Sequence, residues 1–80
     1  MAKSGTIKRY NKIKVVLAQK GKTSKELAAY LGILESRLSN YVRNATQPSI
    51  EMLYTISDFL GCEAIDLLVL KSELETDDGK

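Results

Sequence analysis

Thr23-Ser24-Lys25-Glu26-Leu27-Ala28-Ala29-Tyr30-Leu31-Gly32-Ile33-Leu34-Glu35-Ser36-Arg37-Leu38-Ser39-Asn40-Tyr41-Val42-Arg43 is the stretch on which the fold turns. It opens with a capping box. The Thr23 hydroxyl can accept from the Glu26 amide, and the Glu26 carboxylate can accept in return from the Thr23 amide. Leu27, Ala28 and Leu31 then share one helical face, and Gly32 ends the segment. Leu38, Tyr41 and Val42 repeat at helical spacing and can bury a second face. The side opposite them is wholly polar: Glu35, Ser36, Arg37, Ser39, Asn40 and Arg43. Asn44 follows, a residue that takes left-handed backbone almost as readily as Gly at a helix end.

Two short helices joined by a short turn containing Gly form a helix-turn-helix unit. Such a unit crosses a phosphate backbone with its first helix and lays its second in the major groove. The polar face suits that role. Asn40 can pair with adenine through both amide atoms, and Arg37 can fork onto guanine or grip phosphate. Glu35 can accept from the cytosine amino group, and Ser36 and Ser39 can bond to base or phosphate. The amides of Ser24 and Lys25 open the first of the two helices and can hold a phosphate, with the Lys25 charge beside them.

Working upstream, Tyr10, Ile13, Val16 and Leu17 predict a helix from Tyr10 to Lys20, stopped at Gly21. Lys12 and Lys14 read as solvated charges on it. Downstream, Pro48 disfavours helix at Gln47, and Ser49 with Glu51 marks a new start. The helix behind them puts Ile50, Leu53, Ile56 and Leu60 on one face and stops at Gly61. A fifth helix is expected over Ala64 to Leu70, running on towards Leu74, with Ala64, Leu67 and Leu68 inward. Ile65 and Val69 would then form an outward pair, extended by Leu70. A small domain seldom leaves such a patch in water, so these three are the expected interface of a twofold homodimer.

The expectation is therefore an all-α, five-helix domain over residues 9–72. A basic, flexible arm at 1–8 precedes it and a disordered acidic tail at 73–80 follows. Charge is divided accordingly: residues 1–45 carry +8 and residues 46–80 carry −6. A basic half beside an acidic one points to an oriented surface with phosphate as its partner. Chemistry of other kinds finds little support. With no His and one Cys, neither an internal disulfide nor an ordinary zinc site can form. Cys62 reads as a small core residue, and Tyr41 as core too. No Gly-rich phosphate loop and no base beside a Ser are present, so an enzyme, a cofactor and a small-molecule ligand are not expected. No apolar run reaches a membrane span, and the reading is a cytoplasmic protein.

Leu27-Ala28-x-x-Leu31-Gly32-Ile33, Leu38-Ser39-x-Tyr41, Gln47-Pro48-Ser49-Ile50-Glu51-x-Leu53 and Leu60-Gly61 resemble, in order and spacing, the phage repressor/Cro-type (Xre-like) helix-turn-helix regulators. The resemblance covers about residues 10–70. It implies a lambda-repressor-like fold, double-stranded DNA as partner, a homodimer on an operator, and transcriptional control. It also implies base contacts by Glu35, Ser36, Arg37, Ser39 and Asn40, and phosphate contacts by Thr23, Ser24, Arg43, Asn44 and Thr46. Three positions depart from the family pattern. Ser24 stands where Gln is usual, Leu34 where a hydroxyl often caps the reading helix, and Glu35 brings a carboxylate towards phosphates. An antitoxin of a toxin–antitoxin pair and a protein-docking module with a basic face are the alternative readings.

Overall fold

The computed structural model describes residues 9–70. Four α-helices and a 3₁₀ helix follow one another: α1 Ile13–Gln19, α2 Ser24–Leu31, α3 Glu35–Val42, α4 Ile50–Leu60 and the 3₁₀ helix Ala64–Leu67. The expectations for residues 1–8 and 73–80 lie outside the described part.

Each helix boundary has a local chemical cause. The Thr23–Glu26 capping box forms as the sequence predicts: the Glu26 N–H donates to Thr23 Oγ1 at 3.1 Å, and the Thr23 N–H donates to Glu26 Oε1 at 2.9 Å. The Ser49 hydroxyl accepts from the Met52 N–H at 3.0 Å and starts α4. Leu34 starts α3 with no side-chain cap, as its apolar side chain requires. Gly32 ends α2 at φ 71°, a left-handed conformation that a Cβ would strain. There the Gly32 N–H donates to the Ala29 carbonyl and the Ile33 N–H to the Ala28 carbonyl, so the chain can turn directly into α3.

The apolar faces meet in one core. Ile13, Leu27, Leu38, Ile56 and Leu67 are fully enclosed, one from each element, and Leu17, Tyr41, Leu53 and Leu60 pack around them. In pairs, α2 packs on α3 and α4, α1 on α3, and the 3₁₀ helix on α1 and α4. Burial of this apolar surface supplies most of the driving force, because helices of seven to eleven residues are not stable alone.

Three expectations need correction. The first helix begins at Ile13, three residues later than Tyr10, and Tyr10 lies outside it and half exposed. Ile50 does not join the inner face of α4; it is 68% exposed, because as the first residue of the helix it lies on the flank of the face that Leu53, Ile56, Ser57 and Leu60 bury. The fifth helix does not reach Leu70. It is a single 3₁₀ turn, in which the Asp66 and Leu68 amides donate to the carbonyls three residues back. The first and third of these corrections share a cause. Residues 10–12 and 67–69 pair with one another: the Lys12 N–H donates to the Leu67 carbonyl at 2.8 Å and the Val69 N–H to the Tyr10 carbonyl at 2.9 Å. An antiparallel bridge joins Asn11 to Leu68. Backbone groups used across this ladder cannot also continue two helices, so both stop there.

Candidate nucleic-acid interface

The polar face of α3 stands as expected. Glu35, Ser36, Arg37 and Ser39 are exposed along α3, Asn40 is half-buried, and Leu38 and Tyr41 anchor the other side in the core. Two contacts organise the face. Arg37 Nε donates to the Tyr41 hydroxyl at 3.3 Å, which supports the side chain while its two terminal nitrogens stay available for a bidentate acceptor. Arg43 Nη2 donates to Asn40 Oδ1 at 2.8 Å. The Asn40 carbonyl has a second lone pair and its amide keeps its donors, so Asn40 can still meet an adenine edge while Arg43 braces it.

Beside α3 lies a groove of about 500 Å³ lined by Arg9, Lys14, Ser24, Glu35, Ser39 and Arg43. Three cations from three separate stretches of chain thus converge where α2 begins and α3 runs past. Lys14 therefore does not read as a charge remote from the site, and Arg9 was not singled out by the sequence at all. Their only sequence signal was the basic first half of the chain. Glu35 faces this groove and offsets part of its positive field.

The candidate phosphate contacts divide. Ser24, Lys25, Arg43 and Thr46 are exposed. Thr23 is exposed too, but its hydroxyl is used inside the capping box, accepting from the Glu26 amide and donating to Glu26 Oε1 at 3.2 Å. These bonds, led by that of the Thr23 backbone, hold the Glu26 carboxyl below its ordinary range. Asn44 has to be withdrawn as a phosphate contact. It is 6% exposed, and its side chain faces inward to the chain at Tyr10 and Asn11.

Asn11 is the residue that pattern reading missed. It is 1% exposed, and its Nδ2 donates to the Tyr41 carbonyl at 3.0 Å and to Gln47 Oε1 at 2.9 Å. Its Oδ1 accepts from the Ile13 N–H at 3.2 Å, an Asx-type turn that leads into α1 one residue ahead of its Lys12 N-cap. An Asn that turns the chain just ahead of a helix is a recognisable signal, but the periodic Tyr10 placed the helix start too early for it to be seen.

The expected dimer patch is rearranged. Val69 leaves the outward face and is half-buried beside Tyr10, since no helix carries it. Ile65 and Leu70 are 63% and 51% exposed, and with Val15 they line a groove of about 510 Å³ between α1 and the 3₁₀ helix. Cys62 lies along the same groove, where burial, aided by the Asp66 charge, pushes its thiol above the ordinary range. A thiol held protonated suits a packing residue better than a nucleophile.

A helix-turn-helix within a four-helix core, with its second helix exposed beside converging cations, defines the class. Among described residues no helix is long and apolar enough to cross a membrane. A helix-turn-helix family model matches residues 13–67. The chain belongs to that family, the repressor/Cro-type one that its motif spacing resembles. Among solved structures it is similar to a protein of Bacteroides fragilis described as a candidate DNA-binding protein, with 37% identity and a TM-score of 0.73. The match covers 74% of this chain and 95% of the other. No curated protein matches the chain.

Proposed function

We propose that this chain binds double-stranded DNA in a sequence-specific way and acts in the cytoplasm as a transcriptional regulator, a repressor on a palindromic operator. The observation that carries the reading is the convergence of Arg9, Lys14 and Arg43 beside the exposed face of α3. Phosphates on either side of a major groove would meet these cations and the first amides of α2, while α3 enters the groove between them. Arg37 and Asn40 then read bases, with Glu35, Ser36 and Ser39 around them. Lys25 and Thr46 add backbone contacts at the rim. The DNA-binding description of the similar Bacteroides fragilis protein supports the same reading.

A homodimer fits this function, because two reading helices about 34 Å apart meet successive major grooves on one side of the duplex. Ile65, Leu70 and Val15 supply the apolar surface for the twofold contact. Sedimentation showing only monomer at micromolar concentration, and no second copy on the duplex, would remove the dimer and leave DNA binding standing.

The test of sequence reading is selection of bound duplexes from a random pool, followed by Arg37→Ala and Asn40→Ala. Each is expected to lose about 1–3 kcal/mol on the selected site and little on random DNA. Equal losses on both would reassign these residues to phosphate. Binding without salt dependence would reject the duplex altogether and favour a protein-docking role.

A further inference from the structure

Four helix ends in this domain close in the same way. In each, one amide donates to a carbonyl three residues back and the next amide to a carbonyl five back, at Gly21, Gly32, Gly61 and Asn44. Three of the four use glycine at positive φ; the fourth uses Asn44 at φ 65°. Glycine would satisfy the backbone there with less strain. The side chain must therefore serve something else, and its bonds say what. Asn44 Oδ1 accepts from the Tyr10 N–H at 2.9 Å and the Asn11 N–H at 3.0 Å, and its Nδ2 donates to the Asn11 carbonyl at 3.1 Å. Gln47 Nε2 donates to the same Oδ1 at 3.2 Å and steadies it. One side chain thus binds three backbone groups of a segment more than 30 residues away in sequence.

We propose that Asn44 is a positioning residue for DNA binding: it clamps Tyr10 and Asn11 to the end of α3, and so holds Arg9 in the groove beside the reading helix. Arg9 is the residue immediately before the clamp and lines that groove with Lys14 and Arg43. Without the Asn44 bonds Tyr10 is still tied through its carbonyl to the Val69 N–H, after the 3₁₀ helix, but its bond to the end of α3 is lost. An arginine on a loose segment pays the entropy of ordering when it meets a phosphate; a clamped one has been ordered by folding. The clamp rests on the duplex-binding reading given above.

The test uses the full chain and a duplex carrying the selected site. Affinity is measured over a range of salt for the wild type, Arg9→Ala, Asn44→Gly and the double variant. Glycine keeps the positive φ and Asn11 keeps its own bonds to Tyr41 and Gln47, so Asn44→Gly retains a second anchor for the fold. Arg9→Ala is expected to flatten the log–log salt slope by about 0.9 per bound chain, the signature of one lost phosphate contact. Asn44→Gly is expected to weaken binding across the salt range, and the double variant to bind no more weakly than Arg9→Ala. A purely structural Asn44 would lower the melting temperature and either leave affinity at the wild-type value or add its loss to that of Arg9→Ala; either result overturns the proposal. Amide hydrogen exchange on the free wild-type chain gives a second reading that needs no variant. The Tyr10 and Asn11 amides must be protected, and exchange at the rate of unstructured chain sinks the clamp. A wild type that binds no duplex defeats the DNA reading itself, an outcome distinct from a bound wild type with an unaltered Asn44→Gly affinity.

Discussion

Leu34→Ser should stabilise this domain, and the size of the gain follows from the start of α3. Leu34 has the extended backbone of an N-cap, φ −69° and ψ 146°, yet offers no side-chain acceptor to the amides of the first turn. Ser49, with nearly the same dihedrals, caps α4 through its hydroxyl, so the geometry at position 34 is ready for the same bond. A serine cap is worth about 1 kcal/mol. Leu34 is 75% exposed, so removing its side chain forfeits only the buried quarter of a leucine, about 0.5 kcal/mol. The net gain is about 0.5 kcal/mol, which for a domain of this size raises Tm by about 2–4 °C. Leu34→Ala makes the same truncation without the cap and should lower Tm by a similar amount. The Ser and Ala variants, compared by thermal melting, then differ by about 1 kcal/mol, or about 4–8 °C. If the two melt together, α3 is not limited by its missing cap, and the reasoning from backbone geometry is wrong.

Asn11→Ala should destabilise by about 1–3 kcal/mol in urea unfolding, because it strips the Ile13 amide of its side-chain acceptor and the buried Tyr41 carbonyl of one of its two donors. A shift of a few tenths would mean that water replaces the side chain. Leu38→Ala, at a fully enclosed position, should lower stability by about 2–5 kcal/mol, whereas Ile50→Ala should change it by less than about 0.5 kcal/mol. Similar losses at the two positions would restore Ile50 to the core. Glu26 has a lowered folded pKa, so its capping bond contributes stability above the carboxylate's unfolded pKa and loses it as pH falls through the folded one. Melting curves of the wild type and Glu26→Gln should therefore differ at neutral pH and converge as pH falls through the lowered Glu26 pKa; a constant difference would show that the charge plays no part.

Legibility varied with the range of the interaction. The capping box, the left-handed Gly32 and the Ser49 cap depend on bonds between residues three to five apart, and pattern reading placed all of them. The face of α3 was legible for the same reason, since burial of Leu38 and Tyr41 at helical spacing forces Glu35, Arg37 and Ser39 outward. The pairing of residues 10–12 with 67–69 was not legible. It carries no periodic signal, and it shortened both terminal helices at once. The expected dimer patch lost the outward Val69 with it, while Ile65 and Leu70 stayed exposed.

The sequence by itself therefore determined the helix-turn-helix: local capping, turn chemistry and amphipathic spacing suffice for two short helices and the polar face between their ends. Tertiary structure alone decided what stands beside that face. Arg9 and Lys14 join the groove, and Asn44 turns away from it, because the Asn11 amide needed an acceptor once the core had buried it. An amide that loses water must find a partner wherever the fold brings one, and that partner can be 33 residues away.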